Sequence, residues 1–358
     1  MSRFLSERYQ SLKAYVPGEQ PSETEYIKLN TNESPYPPAP GVIASINDDE
    51  LERLRLYPNP DGKRLIDKLA EFYDVGPENI IIGNGSDELL AFAFLAFCDS
   101  EHGVCFPDIT YGFYPVYAEL YGLPYEQIPV WDDFSVNPAD YMDVRKNVIL
   151  ANPNAPTGVA LPPQSIEEIV LSNPGHIVLI DEAYVDFGAQ SVVPYIHMFD
   201  NLLVMHTYSK SRSMAGARLA YTIGPEPLIA DLNKMKFSFN PYNVNRLTQI
   251  MGAAALDEDD YYDKMRRQII ITREYTETKL VELGFKMTRS SANFVFARRP
   301  DISGQTLYAA LKERGILVRH FSNPRISDYV RITIGTNEQM DSLFSAIKEI
   351  LLSANLNG

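Results

Sequence analysis

Residues 201–210 read NLLVMHTYSK, an apolar run that ends in a serine and a lysine. Near-continuous runs of Val, Leu and Ile are typical of strands buried on both faces of a parallel sheet. Similar runs (NIIIG, GVCF, NVILAN and HIVLID) precede it, and helical patterns such as SDELLAFAFLAF and PPQSIEEIVLS lie between them. We therefore predict an α/β fold, with a large domain over residues 41–245 built on a mostly parallel sheet flanked by helices.

Two further parts flank this large domain. Residues 1–40 are rich in Pro, Tyr and Asn, which predicts an extended arm that joins the small domain. Residues 246–358 begin with a long helical stretch and continue as a strand, a helix, two strands and a closing helix, which predicts a smaller α+β domain. A chain of 358 residues exceeds the size that one core usually serves, so a large and a small domain are expected.

Composition limits the class of partner. The formal net charge of -15 disfavours nucleic acid and anionic membranes, and favours small molecules or other protein subunits. The two cysteines, Cys98 and Cys105, show no metal-ligand spacing, so we expect neither a disulfide framework nor a metal site. No run of about 18 apolar residues and no leader pattern occur, so a cytoplasmic protein is expected.

Polar residues follow the apolar run of residues 201–210. Lys210 would emerge at the carboxyl end of a strand, where burial lowers the pKa of an amine and lets it attack a carbonyl in Schiff-base chemistry. Taken alone, such a lysine is more often an exposed loop residue. Ser209 and Arg218, with Gly216 between them to allow a tight turn, could converge on one anion, for which a phosphate is the natural candidate.

Another strand end carries a carboxylate. In HIVLIDEAY, Asp181 ends the apolar run and Tyr184 lies three residues further on. A carboxylate there is costly to bury unless it is paired, and a protonated heterocyclic nitrogen is one such partner. The alternatives are a metal or nucleotide motif of the Walker B kind, or a simple strand-end cap.

Two turns complete the set of strand ends. GNGSDELL places Ser86 and Asp87 where a helix begins, so they could bind an anion through free backbone N–H groups or act as a plain helix cap. In NAPTG, Asn154 can donate its amide to a ligand oxygen, although turn chemistry alone could explain the motif. Since all four motifs follow strands of one sheet, a single ligand could meet them.

Together NAPTG, DEAY, SK and the downstream GAR resemble, in order and spacing, the fold-type I aminotransferases that use pyridoxal phosphate. With KLNTNESPYPP, LYPNPDG, DITYGFY and VRITIG included, the chain is similar over nearly its whole length to the histidinol-phosphate aminotransferases of class II. This resemblance implies an aspartate aminotransferase-like large domain with a seven-stranded sheet. One departure is that this chain has NAPTG where the family often has Asn-Pro-Thr-Gly, so Ala155 to Thr157 could shift the turn while Asn154 remains.

The resemblance assigns roles around pyridoxal phosphate. Lys210 would bond the cofactor and, once released, act as the base at the substrate Cα. Asp181 would hold the ring nitrogen protonated, which makes the ring an electron sink. Asn154 and Tyr184 would contact the phenolic oxygen, and Tyr111 would stack on the ring.

The resemblance also implies how the cofactor phosphate is held. Within one chain, the phosphate would bind to the backbone N–H groups of Ser86 and Asp87 and to the side chains of Ser209 and Arg218. Tyr57, in LYPNPDG, matches a tyrosine that reaches this phosphate from the neighbouring subunit, so a homodimer is implied.

For the substrate, Arg319 and Arg331 would bind the phosphate of L-histidinol phosphate, with Tyr15 of the arm and Asn154 assisting. The implied reaction is ping-pong transamination with 2-oxoglutarate through pyridoxamine phosphate, giving imidazole acetol phosphate and L-glutamate in histidine biosynthesis. Three alternatives stay open: a broad aromatic amino acid aminotransferase, a decarboxylase of the threonine-phosphate type, and a non-catalytic regulator that binds the cofactor.

Overall fold

The structure, a computed structural model, describes residues 2–20 and 26–356, with side chains up to residue 353. Its strands are β1 Ile27–Lys28, β2 Ile80–Gly83, β3 Val104–Pro107, β4 Tyr125–Ile128, β5 Asn147–Ala151, β6 Val178–Asp181, β7 Leu202–Thr207, β8 Ala220–Ile223, β9 Lys286–Met287, β10 Phe294–Arg298, β11 Ile316–Leu317, β12 Arg319–His320 and β13 Val330–Thr333. Its α-helices are α1 Pro40–Ala44, α2 Asp48–Glu52, α3 Lys63–Tyr73, α4 Ser86–Phe97, α5 Phe113–Tyr121, α6 Pro163–Ser172, α7 Glu226–Phe239, α8 Arg246–Ala255, α9 Asp259–Glu282, α10 Gly304–Glu313 and α11 Asn337–Leu356.

A seven-stranded sheet forms the centre of the large domain. Its strand order is β2-β8-β7-β6-β5-β3-β4, and only β8 runs antiparallel to its neighbours. Every residue of β5, β6 and β7 is buried, as expected for strands covered on both faces. The carboxyl ends of β2, β5, β6 and β7 therefore lie along one edge of the sheet.

Helices cover both faces of this sheet. One buried apolar cluster combines the sheet with α1, α3, α6 and α8, and a second combines its other face with α4, α5 and α7. Burial of these apolar surfaces is the main stabilising contribution to such a layered domain.

The smaller domain has a core of its own. Strands β12-β13-β10-β9 form an antiparallel sheet, and α9, α10 and α11 pack into its apolar cluster. From the N-terminal arm, β1 pairs in parallel with β11, with Ile27 opposite Ile316. The arm is thus attached to the small domain through main-chain hydrogen bonds.

The connection between the domains runs through α9. Helix α8 packs against α1 and α3, and Tyr262 in the first turns of α9 belongs to the cluster of the large sheet. Further along the same helix, Ile269 and Leu280 belong to the core of the small domain. We therefore propose that the domain boundary lies inside α9, between Tyr262 and Ile269, rather than at residue 245.

Two kinds of feature are absent from the described part of the chain. None of its helices is both long and apolar enough to cross a membrane. Within the same residues, no three His, Cys, Asp or Glu side chains are grouped so that they could hold a metal ion.

Candidate active site

Two adjoining cavities open at the carboxyl edge of the seven-stranded sheet. The first, of about 340 Å³, lies over the ends of β2, β5, β6 and β7. The second, of about 570 Å³, extends from it to the small domain and the arm. Both cavities are lined by Gln20, Thr31, Tyr111, Ala155, Tyr184, Lys210 and Arg218, so they form one continuous site.

Lys210 projects into both cavities from the turn after β7. Its Nζ donates to the carbonyl oxygen of Thr31 at 3.2 Å and lies 5.8 Å from the ring centroid of Tyr184. Burial, and after it the charge of Arg331, lowers the pKa of this amine to about 8. A substantial fraction is therefore neutral near physiological pH, which is the form that attacks a carbonyl.

This lowered pKa predicts an unusual pH profile for acylation of Lys210. The folded-state pKa lies below the ordinary value for lysine, about 10.4, so the neutral amine is gained as the pH rises through about 8. Brief acylation of the cofactor-free protein followed by peptide mapping should show Lys210 labelling that levels off above about pH 8.5, while labelling of surface lysines keeps rising. A Lys210 profile still climbing near pH 10 would contradict the assignment.

Asp181 faces the first cavity at the end of β6 and is 5% exposed. Its Oδ1 accepts a hydrogen bond from the backbone N–H of Ala183 at 3.1 Å, and Oδ2 accepts one from the Tyr114 hydroxyl at 3.1 Å. Burial raises the pKa of the carboxyl to about 6 despite these bonds. A carboxylate buried beside a cavity in this way is suited to a cationic N–H group of a ligand.

Tyr184 contacts a residue of the arm that the sequence analysis missed. Its hydroxyl accepts a hydrogen bond from Nδ2 of Asn32 at 2.9 Å, and Asn32 is only 1% exposed. Burial raises the pKa of Tyr184, and the Asn32 bond and Arg331 oppose this shift. The Asn-Thr-Asn run inside the proline-rich arm was the available signal, because a buried amide needs partners.

The structure does not bring Asn154 to the ligand position predicted for it. Its Nδ2 donates to the carbonyl of Ile109 at 2.8 Å and to Oγ1 of Thr157 at 3.1 Å, and its Oδ1 accepts from Oγ1 of Thr110 at 2.8 Å. Neither cavity is lined by Asn154, whereas Ala155 lines both. Both amide hydrogens are thus used, one by Thr157 of the same turn and one by Ile109 after β3, and a ligand contact would require one of these bonds to be exchanged.

One end of the first cavity is built for an anion. Helix α4 begins with Ser86 and Asp87, and Gly85 occupies the N-cap with φ of +82° and no side-chain cap. The alternative prediction, that Ser86 or Asp87 is a plain cap, is therefore wrong. Unpaired N–H groups in the first turn and the helix dipole favour negative charge.

Arg218 and Ser209 lie at the same end of the cavity. Nη2 of Arg218 contacts Oδ2 of Asp87 at 3.1 Å, and Oγ of Ser209 accepts from Oγ1 of Thr207 at 2.9 Å. A Cβ at Gly85 would lie 2.5 Å from Nη2 of Arg218, so glycine is required for this close approach. Two hydroxyls, a guanidinium and a helix N-terminus are together the donor set that binds a phosphate.

Tyr111 lines both cavities beside this anion site. Its hydroxyl donates to Oδ1 of Asp87 at 2.8 Å, and its ring meets Tyr114 edge-on at 5.7 Å between centroids. These contacts hold the ring in the cavity wall, where it can stack on a planar ligand.

The far end of the second cavity carries two arginines. Arg319 on β12 and Arg331 on β13 are directly opposite in the antiparallel register. Arg319 donates to the carbonyls of Val16 and Pro17 at 3.1 and 3.2 Å, and Arg331 donates to that of Asn30 at 2.9 Å. Nε of Arg331 is buried and has no hydrogen-bond acceptor among the described residues. Because like charges opposite each other are unfavourable, this pair is suited to a dianion.

Of the two other predicted residues, Tyr15 lines a cavity of its own chain and Tyr57 does not. Tyr15 lines the second cavity with both arginines, and its ring stacks on Phe113 at 4.2 Å. Tyr57 lines neither cavity of its own chain: it is 77% exposed and stacks on Tyr242 at 4.6 Å. The remaining predicted residues line the site: Ser86, Asp87, Tyr111, Asp181, Tyr184, Ser209, Lys210, Arg218, Arg319 and Arg331.

Comparison with known proteins gives a consistent result. The sequence model of the family described as aminotransferase class I and II matches residues 24–347 of this chain. A histidinol-phosphate aminotransferase of Brachyspira hyodysenteriae is 47% identical over 352 residues, which cover 98% of this chain and 99% of that protein.

Solved structures agree on the fold. A histidinol-phosphate aminotransferase of Sinorhizobium meliloti, in complex with pyridoxal-5'-phosphate, has a TM-score of 0.90 at 23% identity and covers 99% of each chain. An aspartate aminotransferase of Thermotoga maritima has a TM-score of 0.79 at 20% identity, covering 91% of this chain and 92% of that one. The predicted fold class is therefore confirmed.

Proposed function

The chain belongs to the class I and II aminotransferase family, and from this we propose that it transaminates L-histidinol phosphate with pyridoxal phosphate as cofactor. The acceptor is 2-oxoglutarate, and the products are imidazole acetol phosphate and L-glutamate, a step of histidine biosynthesis. The observation that carries this proposal is one continuous site in which Lys210 lies between a phosphate-binding helix N-terminus and two opposed arginines.

The residues of the first cavity fit the cofactor. Its phosphate matches the donors at the start of α4 with Ser209 and Arg218, and its protonated ring nitrogen matches the buried carboxylate of Asp181. Tyr184 is placed to donate to the phenolic oxygen, with Asn154 joining it only if its amide turns. When bound, pyridoxal phosphate supplies an electron-withdrawing ring that stabilises negative charge at the substrate Cα.

Lys210 then has two tasks. Its neutral amine attaches the cofactor covalently, and after substrate amine displaces it, the same amine moves the proton of the substrate Cα. Burial serves both tasks because it holds the pKa of the amine near 8. Asp181 would keep the ring nitrogen protonated, and Tyr111, in the wall of the same cavity, would cover one face of the ring.

The second cavity fits the substrate phosphate. Arg319 and Arg331 supply two guanidinium groups, and the Tyr15 hydroxyl lies in the same wall. A phosphate dianion relieves the repulsion between the opposed arginines and gives the buried Nε of Arg331 an acceptor. The preference for a phosphorylated amine over an ordinary amino acid is assigned to this pair.

Assembly and location are part of the proposal. A homodimer is supported by the exposed Tyr57 and Tyr242 rings, with Tyr57 reaching the cofactor phosphate of the neighbouring subunit. A cytoplasmic location is supported by Cys98 and Cys105, which are both unpaired, as is usual in a reducing compartment.

The test is an absorbance spectrum of the cofactor-loaded protein before and after L-histidinol phosphate is added without keto acid. Loss of the band of lysine-bound cofactor, with gain of the band of its amine form, is the expected half-reaction. A band that responds to phenylalanine or tyrosine but not to L-histidinol phosphate would favour an aromatic aminotransferase. Release of CO2 from a phosphorylated amino acid would favour a decarboxylase, and binding of cofactor with no half-reaction would favour a regulator.

Arg331→Gln is expected to raise KM for L-histidinol phosphate by about 10- to 100-fold, because a charge-assisted bond contributes about 1.5–3 kcal/mol. The cofactor should still bind, since Arg331 lines the second cavity only, while loss of its charge should raise the pKa of Lys210. Steady-state kinetics measure the effect, with Arg314→Gln on the surface of the same domain as control. An unaltered KM would exclude Arg331 from substrate binding.

A further inference from the structure

Lys236, on α7, is a buried lysine outside the active site. The residue is 1% exposed, and its Nζ donates to the carbonyl oxygen of Pro60 at 2.8 Å. Burial lowers the pKa of this amine, while the charges of Asp61 and Glu88 oppose the shift. A buried ammonium group is costly, so its position beneath the loop of residues 57–62 calls for a reason.

Two more side chains hold the same loop by its carbonyl groups. Nε2 of Gln249 donates to the carbonyl of Asn59 at 2.9 Å, and Nη2 of Arg246 donates to that of Tyr57 at 3.4 Å. With Lys236, three donors from α7 and α8 therefore bind three of the four carbonyls between residues 57 and 60.

The loop is also stiff by its own sequence, YPNPDG. Pro58 and Pro60 restrict the backbone, and Oδ1 of Asn59 accepts from the N–H groups of Asp61 and Gly62 at 2.8 and 3.1 Å. Residues 57–62 are thus preorganised in one conformation before any partner binds.

The rigid loop of residues 57–62 carries an exposed aromatic side chain, Tyr57. Tyr57 is 77% exposed, and its ring is stacked on Tyr242 at 4.6 Å with 20° between the planes. Leu56, its neighbour in the chain, and Phe239, three residues before Tyr242, are exposed as well. Rigid presentation of a tyrosine lowers the entropic cost of a contact with another molecule.

We propose that Lys236 is a positioning residue, which holds the loop of residues 57–62 so that the Tyr57 hydroxyl reaches the cofactor phosphate of a second copy of this chain. The inference rests on the proposed function, in which Tyr57 contacts that phosphate. Lys236 itself touches neither cofactor nor substrate; it acts through the carbonyl of Pro60.

The test is a double-mutant cycle on the dissociation constant of pyridoxal phosphate, measured by absorbance titration of the apoenzyme. Tyr57→Phe keeps the stacked ring and removes only the hydroxyl, and should weaken binding by about tenfold or more. Lys236→Met keeps the length of the side chain but removes the donor, and should weaken binding by about threefold or more, because misplacement by a fraction of an ångström suffices. In the double variant the affinity should equal that of Tyr57→Phe within about twofold.

The outcomes separate the two proposals. If Tyr57→Phe binds pyridoxal phosphate like the wild type, the role of Tyr57 fails and the inference on Lys236 fails with it, whereas the half-reaction spectrum still tests transamination. If Tyr57→Phe weakens binding but Lys236→Met does not, or the two effects add, only the inference on Lys236 is overturned. Loss of the dimer in Lys236→Met by sedimentation would also overturn it, because the lysine would then serve assembly.

Two further variants keep the test decisive. Gln249→Leu removes another donor to the loop, and should reproduce the Tyr57-dependent loss of affinity if Lys236→Met does not fold. Lys146→Met is the matched control: that lysine pairs with Glu126 at 2.8 Å outside both cavities, and the variant should bind the cofactor like the wild type.

Discussion

Replacement of Lys210 by alanine is expected to lower kcat by more than the roughly 10²- to 10⁴-fold that a positioned proton-transfer group usually contributes. The loss is larger because the same amine also attaches the cofactor. Lys210 is suited to both tasks because its Nζ lies in the wall shared by the two cavities and burial lowers its pKa to about 8. Single-turnover absorbance measurements with L-histidinol phosphate would give the rate.

Covalent attachment provides an independent readout of Lys210. Borohydride reduction followed by peptide mapping should label Lys210 in the wild-type protein and no lysine in Lys210→Ala. Lys234→Ala, which changes an exposed lysine of α7, should behave like the wild type. A reduced adduct that persists on another lysine in Lys210→Ala would contradict the proposed attachment site.

Asp181→Asn is expected to reduce kcat by about 10²- to 10³-fold, comparable with the loss of one preorganised electrostatic contact in other active sites. Asparagine preserves the shape of the side chain. Its one oxygen can still accept from the N–H of Ala183, while its NH2 group replaces the oxygen that accepts from Tyr114. It carries no charge, however, so it stabilises a protonated ring nitrogen much less. The electron-withdrawing power of the ring therefore falls, and pre-steady-state kinetics of the half-reaction would measure the loss.

The pKa of Asp181 adds a pH dependence to this prediction. Burial raises the pKa to about 6 in the protein alone, so the carboxylate is lost as the pH falls through that value. Cofactor affinity should then weaken below about pH 6 in the wild type, and this acid limb should be absent in Asp181→Asn. Asp231→Asn, an exposed change on α7 outside both cavities, is the control and should stay within about 0.5 kcal/mol of wild-type stability. An activity of Asp181→Asn close to that of the wild type would refute the role.

Much of the fold was accessible from local patterns. The apolar runs at β5, β6 and β7 are buried along their whole length, and a mostly parallel seven-stranded sheet with a smaller domain is confirmed by the fold neighbours. A fully apolar strand requires cover on both faces, and polar residues that follow such strands must gather at one edge of the sheet. Order and spacing of the motifs then led to the correct family.

Other features depended on contacts between residues far apart in the chain. Asn32 meets Tyr184 across 152 positions, and nothing in either motif specifies this pairing. The division of α9 between two apolar clusters was equally hidden, because a helical pattern does not tell which core each turn contacts. The Asn154 amide donates both to Thr157 of its own turn and to Ile109, 45 positions earlier, and the motif alone does not specify the second of these bonds.

Strand and helix patterns are local: they follow from side-chain periodicity and turn chemistry over a few residues, and the sequence alone was enough to read them. The sequence alone was also enough to recognise the chemistry of a lysine, a carboxylate and a glycine turn at strand ends. Tertiary structure decided the opposition of Arg319 and Arg331, the contact of the arm with the site and the bond from Lys236 to the carbonyl of Pro60. These depend on strand register and domain packing, which arise only when distant segments bury their apolar faces together.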